Sequence, residues 1–405
     1  MHSWGSVRIP RGCPHMYNTI KEKCFDGMPP RVHSCARAAH SCCRKIVSFA
    51  SWPKRRNWQL LSRSYETLLK RFSPGFEVWR LRDAAPTLRD GIAKLRAHPN
   101  GSGCTCFRRG SRKLPVEGVV ADAGQFFESV RASDADAAAA LFRRAAHSGA
   151  PDRVTVSRSM RRRAFLGGRL DNPRHDLKTF AFMELALCLA AFARMTFVSV
   201  GDVVAEFTGV PIGGFMRKVR CSLILCRWET EWDEDDAHLQ AQCFVPPGWR
   251  WSDAAACSRY VDDMIMLSRV LCRTCLEDAL KCMHDVPFEL SPRSRRLKWL
   301  DLTVDLDSLM IDLFPKAFST APAWASSPSA LRAHVLSRVA RWREVGMCLD
   351  QVIHHSARLV ADLKARGWAP HHFRHVWFSA RGCQASMEMD VARLSLRVAA
   401  GLPLQ

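Results

Sequence analysis

Three aspartates stand out for the chemistry their surroundings would allow. Asp262 and Asp263 are adjacent in RYVDDMIMLS, bracketed by Val261 and Met264 and followed by Ile265, Met266 and Leu267. Two neighbouring acids in an apolar run are costly unless a counter-charge compensates them. Magnesium, a hard cation, takes oxygen ligands and keeps several waters, so a few carboxylates suffice to hold it. Two such ions about 3.5 to 4 Å apart activate an attacking hydroxyl and hold the leaving oxygen in a displacement at phosphorus. The plain alternative for an isolated Asp-Asp pair is a tight turn with two solvated side chains, because Asp is a common turn residue. A third acid, Asp122, ends the β-branched run VEGVVAD and would bring a carboxylate from a second strand.

These acids need a rigid frame. VEGVVADAGQFF reads as a buried strand running into a turn, and Arg259 to Ser268 as an apolar hairpin interrupted by two acids. LKWLDLTVDLDSLMIDLF alternates apolar and polar residues, the pattern of half-buried strands. Helices are predicted at WQLLSRSYETLLKRF from Trp58, at the Ala-rich stretch Ala132 to Ala146, from Leu177 to Arg194, and at VRCSLILCRWETEW. ALRAHVLSRVARW and SARLVADLKARGW read as amphipathic helices. GVPIGG and PNGSGCTC break regular structure, and residues 1–60 carry Pro, Cys, His and Arg without a sustained period, so loops or an extension are expected there.

The order and content of these segments resemble the reverse transcriptase family. Tyr260-Val261-Asp262-Asp263 is one form of that family's central motif, and RYVDDMIML resembles its wider surroundings. ADAGQFFESV is similar to the first catalytic strand, in which an Asp is followed five positions later by an aromatic residue, here Asp122 and Phe127. TGVPIGGFMRKV resembles the Gln-Gly-x-Pro-x-Gly motif that lines the template and the nucleotide base, through Gly209, Pro211, Gly213 and Gly214. Glycines there let backbone approach a nucleic acid closely. Thr208 stands where the family usually has Gln, and Arg217 where a Ser is common. LKWLDLTVDLD resembles the hairpin that grips the primer, with Trp299, Leu300 and Asp301 as its trio; a purely structural strand pair is equally natural. The resemblance runs roughly from Val116 to Phe314 and more weakly into the helical end. The Trp-Leu-Asp form and the later KARGWAP are similar to Penelope-like and related non-viral retroelements.

The resemblance implies an α+β right-hand polymerase with an antiparallel palm sheet, basic fingers and a helical thumb. It divides the chain into a basic Cys/His-containing extension (1–60), a basic fingers region (61–115), a palm with interleaved fingers segments (116–315) and a helical thumb-like region (316–405). It implies RNA-directed addition of deoxynucleotides to a primer 3′-hydroxyl. Asp122 and Asp262 would ligate two magnesium ions, or manganese in their place, with Asp263 supporting them. The partners implied are an RNA template, a DNA or RNA primer and deoxynucleoside triphosphates. Phe127 would be a steric gate, its ring excluding a 2′-hydroxyl; a core aromatic is the competing reading. Arg108, Arg109, Arg112 and Lys113 are candidates to meet the triphosphate, or else ordinary phosphate-backbone or solvated residues. A catalytically impaired retroelement remnant that binds nucleic acid, and a telomerase-like or maturase-like member, stay open as alternatives.

Composition agrees with a polyanionic partner. The 405 residues carry 60 Lys and Arg against 39 Asp and Glu, a formal charge of +21, and 23 of those bases against 6 acids fall in the first 115 residues. The 17 cysteines are odd in number and irregular in spacing, so they read as reduced thiols of an intracellular protein, nuclear or cytoplasmic alike. The opening MHSWGSVRIPRGCPH lacks the apolar core of a signal peptide. Phe180 to Met195 holds Glu184 and Arg194 and is shorter than the roughly 20 apolar residues of a bilayer span, so no membrane anchor is expected. Cys272, Cys275, Cys282 and His284 give a C-x2-C-x6-C-x-H spacing, but the stretch reads better as a helix with cysteines packed as small apolar residues. Cys24, His33, Cys35, His40, Cys42 and Cys43 follow no standard metal spacing.

Overall fold

The computed structural model describes residues 15–20, 43–48, 55–97, 103–106, 115–123, 126–130, 133–159, 163–170, 175–194, 197–200, 203–206, 209–210, 216–314, 323, 327–369, 372 and 401. It is a mixed helix and sheet protein whose sheets are mainly antiparallel. Two compact units alternate along the chain. One comprises Met1–Glu77, Ala123–Asp235 and Ala279–Glu289; the other comprises Val78–Asp122, Asp236–Asp278 and Leu290–Gln405. Among the described residues, no helix is long and apolar enough to cross a membrane.

The second unit carries the acidic hairpin. Its central strand Asp263–Ser268 pairs antiparallel with Ala255–Tyr260 on one side and with Glu117–Asp122 on the other. Met264, Ile265, Met266 and Leu267 are all fully buried, and this explains why the segment is a continuous apolar run instead of an alternating one. Ile265 and Leu267 share a core with Leu88 and Ile92 of the helix Ala84–Arg96. That helix comes close because Gly91 has no side chain: a Cβ there would lie 2.6 Å from the Cβ of Ala256. Gly91→Val is therefore expected to destabilise the unit by about 1–3 kcal/mol through overpacking. Melting curves check it, and adding Ala256→Gly in the same chain should recover part of the loss.

The same core is closed from below by a three-stranded antiparallel meander, Arg296–Trp299, Leu302–Asp305 and Ile311–Leu313. Leu297, Trp299, Leu302 and Val304 point into the core, as the alternation in the sequence requires. Two helices, Pro328–Val345 and Leu349–Ala365, complete it. The first starts at Ser327, whose hydroxyl accepts the Ala330 N–H at 3.3 Å with Pro328 at the first helical position, and buries Leu331, Val335, Val339, Trp342 and Val345 at helical spacing. It stops at Gly346, whose φ of 61° ends the helix in the left-handed region.

The first unit packs the helices Arg55–Phe72, Asp134–His147, Phe182–Ala193 and Arg217–Glu234 with a three-stranded antiparallel sheet of Ala164–Leu166, Arg153–Ser157 and Leu177–Ala181. Tyr65 donates to the Leu185 carbonyl, and Arg220 pairs with the fully buried Asp134. Two sequence expectations are corrected here. Leu177 to Arg194 is not one helix: Leu177–Ala181 is a strand, in register with Arg153–Ser157, before the helix begins at Phe182. Thr179 lies opposite Thr155 with their hydroxyls 2.8 Å apart, a buried cross-strand pair that outweighs the helical pattern of the longer run. The N-terminal stretch is not all loop, because His15–Ile20 and Cys43–Ser48 join Phe197–Val200 and Val203–Glu206 in one sheet. Their Tyr, Thr, Ile and Val residues suit strands, a bias that surrounding Pro, Cys and Arg obscure.

Candidate active site

The antiparallel register sets the geometry of the acids. Asp263, first residue of the central strand, lies directly opposite Asp122, last residue of Glu117–Asp122, and on its other side opposite Tyr260. Residues opposite one another in such a ladder share a face of the sheet, with Cβ atoms about 4.5–5.5 Å apart. Asp262 sits beside them in the two-residue turn Val261-Asp262. Asp122 is exposed, and Asp262 and Asp263 are half-buried. Among the described residues, the groups of potential metal ligands lying within 4.8 Å of one another do not include this trio. Backbone register makes Asp122 and Asp263 neighbours across the ladder. Like charges directly opposite in a sheet repel, and the chemistry of three clustered carboxylates fits a hard divalent cation.

The turn itself is strained and braced. Val261 has φ 62°, a region that β-branched residues rarely adopt. Arg259, wholly buried, donates from Nη1 to the Val261 carbonyl at 2.7 Å, while its own carbonyl accepts the Val78 N–H at 2.6 Å. Holding such a residue costs about 1–3 kcal/mol and is repaid only where the surroundings over-determine the conformation. Arg259 escapes sequence reasoning because an arginine next to a turn reads as solvated, whereas here it is the penultimate residue of Ala255–Tyr260 and fully buried.

Leu300 and Asp301 form the meander's first turn, flanked by Trp299, which lies opposite Leu302. Trp299 is buried, and its indole N–H donates to the Asp263 carbonyl at 3.2 Å, tying the meander to the strand that starts with the acid. Leu300 has φ 58° and packs against the core. Asp301 accepts a two-pronged bond from Arg341 of the helix Pro328–Val345, Nε to Oδ2 at 2.8 Å and Nη2 to Oδ1 at 2.6 Å. Such planar pairing fixes orientation as well as distance. Arg341 carries no sequence signal, since its partner lies 40 residues away.

Phe127 belongs to the first unit, in the short helix Phe126–Ser129. It is buried, Phe126 lies 5.9 Å away ring to ring, and the guanidinium of Arg217 sits 3.9 Å over its ring centroid. Its carbonyl accepts the Val210 N–H at 2.6 Å, so the residues Gly209 and Val210 run beside it, Gly209 with φ 92°. Arg217, read as a departure from the family pattern, is thus the residue that stacks on Phe127. Thr208, Pro211, Gly213 and Gly214, and likewise Arg108, Arg109, Arg112 and Lys113, lie outside the described residues.

No protein-family model and no curated protein matches the chain. Solved structures that it resembles include apo telomerase from Candida tropicalis, at 10% identity over 84% of this chain and 53% of that one, with a TM-score of 0.45. Telomerase from Candida albicans in complex with a TWJ fragment of telomeric RNA is similar at 11% identity over 85% of this chain and 51% of that one, TM-score 0.48. The Candida tropicalis enzyme in complex with the TWJ fragment is similar at 11% identity over 98% and 60%, TM-score 0.46. The chain spans about half the length of the first of these.

Proposed function

We propose that the chain is an RNA-directed DNA polymerase of the reverse transcriptase type. One observation carries the reading: Asp122 and Asp263 are register partners on adjacent strands, with Asp262 in the turn between the hairpin strands. The reaction joins the primer 3′-oxygen to the α-phosphorus of a deoxynucleoside triphosphate and breaks its bond to pyrophosphate. Two magnesium ions, or manganese, held by Asp122 and Asp262 with Asp263 in support, would supply activation of the hydroxyl and neutralisation of the leaving group. The protein's own part is positioning. Arg259 and Trp299 fix the backbone on either side of the acid pair, which limits the reorganisation left to the carboxylate side chains. The sheet of the second unit then serves as palm, Trp299 to Asp301 as primer grip and the two C-terminal helices as thumb. An affinity to Penelope-like elements rests on Trp299-Leu300-Asp301 and KARGWAP alone.

A second reading, a nucleic-acid-binding remnant without activity, is favoured by Arg217, whose guanidinium covers the ring expected beneath the sugar. Primer extension separates the two. With a DNA primer on an RNA template, magnesium and the four deoxynucleoside triphosphates, extension is expected from the purified chain and not from Asp262→Ala. Salt-sensitive binding of primer-template without extension would select the remnant.

A further inference from the structure

A second group of ligand atoms lies in the unit that carries the acids. Cys104, Cys106, Cys272 and Cys275 bring their four sulfurs within 4.8 Å of one another. Cys104 Sγ is 3.0 Å from Cys275 Sγ and 3.8 Å from Cys272 Sγ, and Cys106 Sγ is 3.5 Å from Cys275 Sγ. Four thiolates around zinc at about 2.3 Å would stand about 3.8 Å apart along each edge of the tetrahedron. A disulfide accounts for two converging sulfurs and leaves the other two unexplained. Soft sulfur ligands in a four-fold set select zinc or iron–sulfur chemistry over magnesium.

The two halves of the group are built differently. Cys104 ends the two-residue strand Gly103–Cys104, which pairs antiparallel with Cys243–Phe244, and Cys106 follows in a turn held by the Thr105 N–H on the Gln242 carbonyl at 3.0 Å. Cys243, directly opposite Cys104, turns away and donates to the Leu239 carbonyl. Cys272 precedes the 11-residue helix Arg273–Met283 and Cys275 lies in its first turn. The Cys106 N–H reaches Cys104 Sγ at 3.4 Å, the kind of amide-to-sulfur bond that steadies a metal-bound thiolate.

We propose that Cys104, Cys106, Cys272 and Cys275 form a tetrathiolate zinc site that pins the turn at Cys106 to the start of the helix Arg273–Met283. Cys282 and His284, which complete the local spacing in the sequence, take no part: Cys282 is exposed, and His284 is buried beside Glu229 in the other unit. The site would anchor the chain immediately before the basic run Arg108 to Lys113.

The test is metal content of the full chain expressed with zinc and purified without chelator, against Cys106→Ser/Cys272→Ser, which spares the two buried cysteines. Cys282→Ser and Cys348→Ser, both exposed positions, serve as controls. The wild type and both controls are expected to hold one zinc equivalent more than the double variant. Cobalt-loaded wild type should show thiolate-to-metal charge transfer and the strong visible bands of a tetrahedral site, reduced by one equivalent in the double variant. Circular dichroism establishes that the double variant is folded, and a chelator should lower the melting temperature of the wild type but not of that variant. Equal zinc in wild type and a folded double variant, stoichiometric iron in place of zinc, or a Cys104–Cys275 disulfide in metal-free protein would each overturn the proposal.

Discussion

Asp122→Asn is expected to lower primer extension by at least about 10²–10³-fold while leaving the chain at least as stable as the wild type. The two effects have one origin. Asp122 and Asp263 face each other across an antiparallel ladder, and a like-charged pair there costs up to about 1 kcal/mol that the neutral, nearly isosteric amide removes. For a unit of this size that amounts to about 2–4 °C in melting temperature. Magnesium should erase the difference by stabilising the wild type and not the variant, since a ligand that binds the native state raises its apparent stability. Melting curves with magnesium and with a chelator, run beside extension assays, read both arms. A variant that extends primers normally would remove these carboxylates from the chemistry.

Phe127→Ala carries the next largest effect and separates two roles for one ring. Truncating a buried Phe costs about 3–5 kcal/mol, and the stacked Arg217 adds a cation–π contribution of about 0.5–2 kcal/mol. A lower melting temperature is therefore expected in any case. The gate reading adds that ribonucleotide incorporation rises relative to deoxynucleotide incorporation, because a ring beneath the sugar no longer meets a 2′-hydroxyl. Phe127→Val should act in the same direction with a smaller loss of stability, and Arg217→Ala should remove the stacking while leaving the ring. An unchanged nucleotide ratio in a folded, active Phe127→Val variant would leave Phe127 as packing alone.

The parts legible in the sequence were those with a period or an unbroken apolar run. The run Met264–Leu267 with its two preceding acids, the alternation from Leu297 to Leu313 and the helical spacing from Leu331 to Val345 each reproduce the burial that the structure gives them. Leu177–Ala181 was misjudged because five residues abutting a helix are too few to show a period of their own that marks the boundary. The cysteine group was unreadable for another reason. Its two halves lie on opposite sides of the double aspartate's strands in sequence, whereas the spacing that looked like a metal motif, Cys272 to His284, runs along one helix and past its end. Arg259 and Arg341 were missed because their worth lies wholly in a buried carbonyl and a distant carboxylate.

The alternation of the two units along the chain bears on how the molecule assembles. The strand Glu117–Asp122 finds its partner Asp263–Ser268 only after roughly 140 intervening residues, and those residues belong largely to the other unit. Loop closure over that span must be met before the pairing returns any stability, so the sheet forms late and slowly. During synthesis the apolar Val119 and Ala121 wait on an open strand edge, a template for pairing with other chains. A polypeptide ended after residue 235 keeps that edge and lacks its partner strand Asp263–Ser268. Chaperone dependence and insolubility of fragments ended after residue 235 are therefore expected from the interleaved topology itself, independently of whether the acids ever meet a nucleotide.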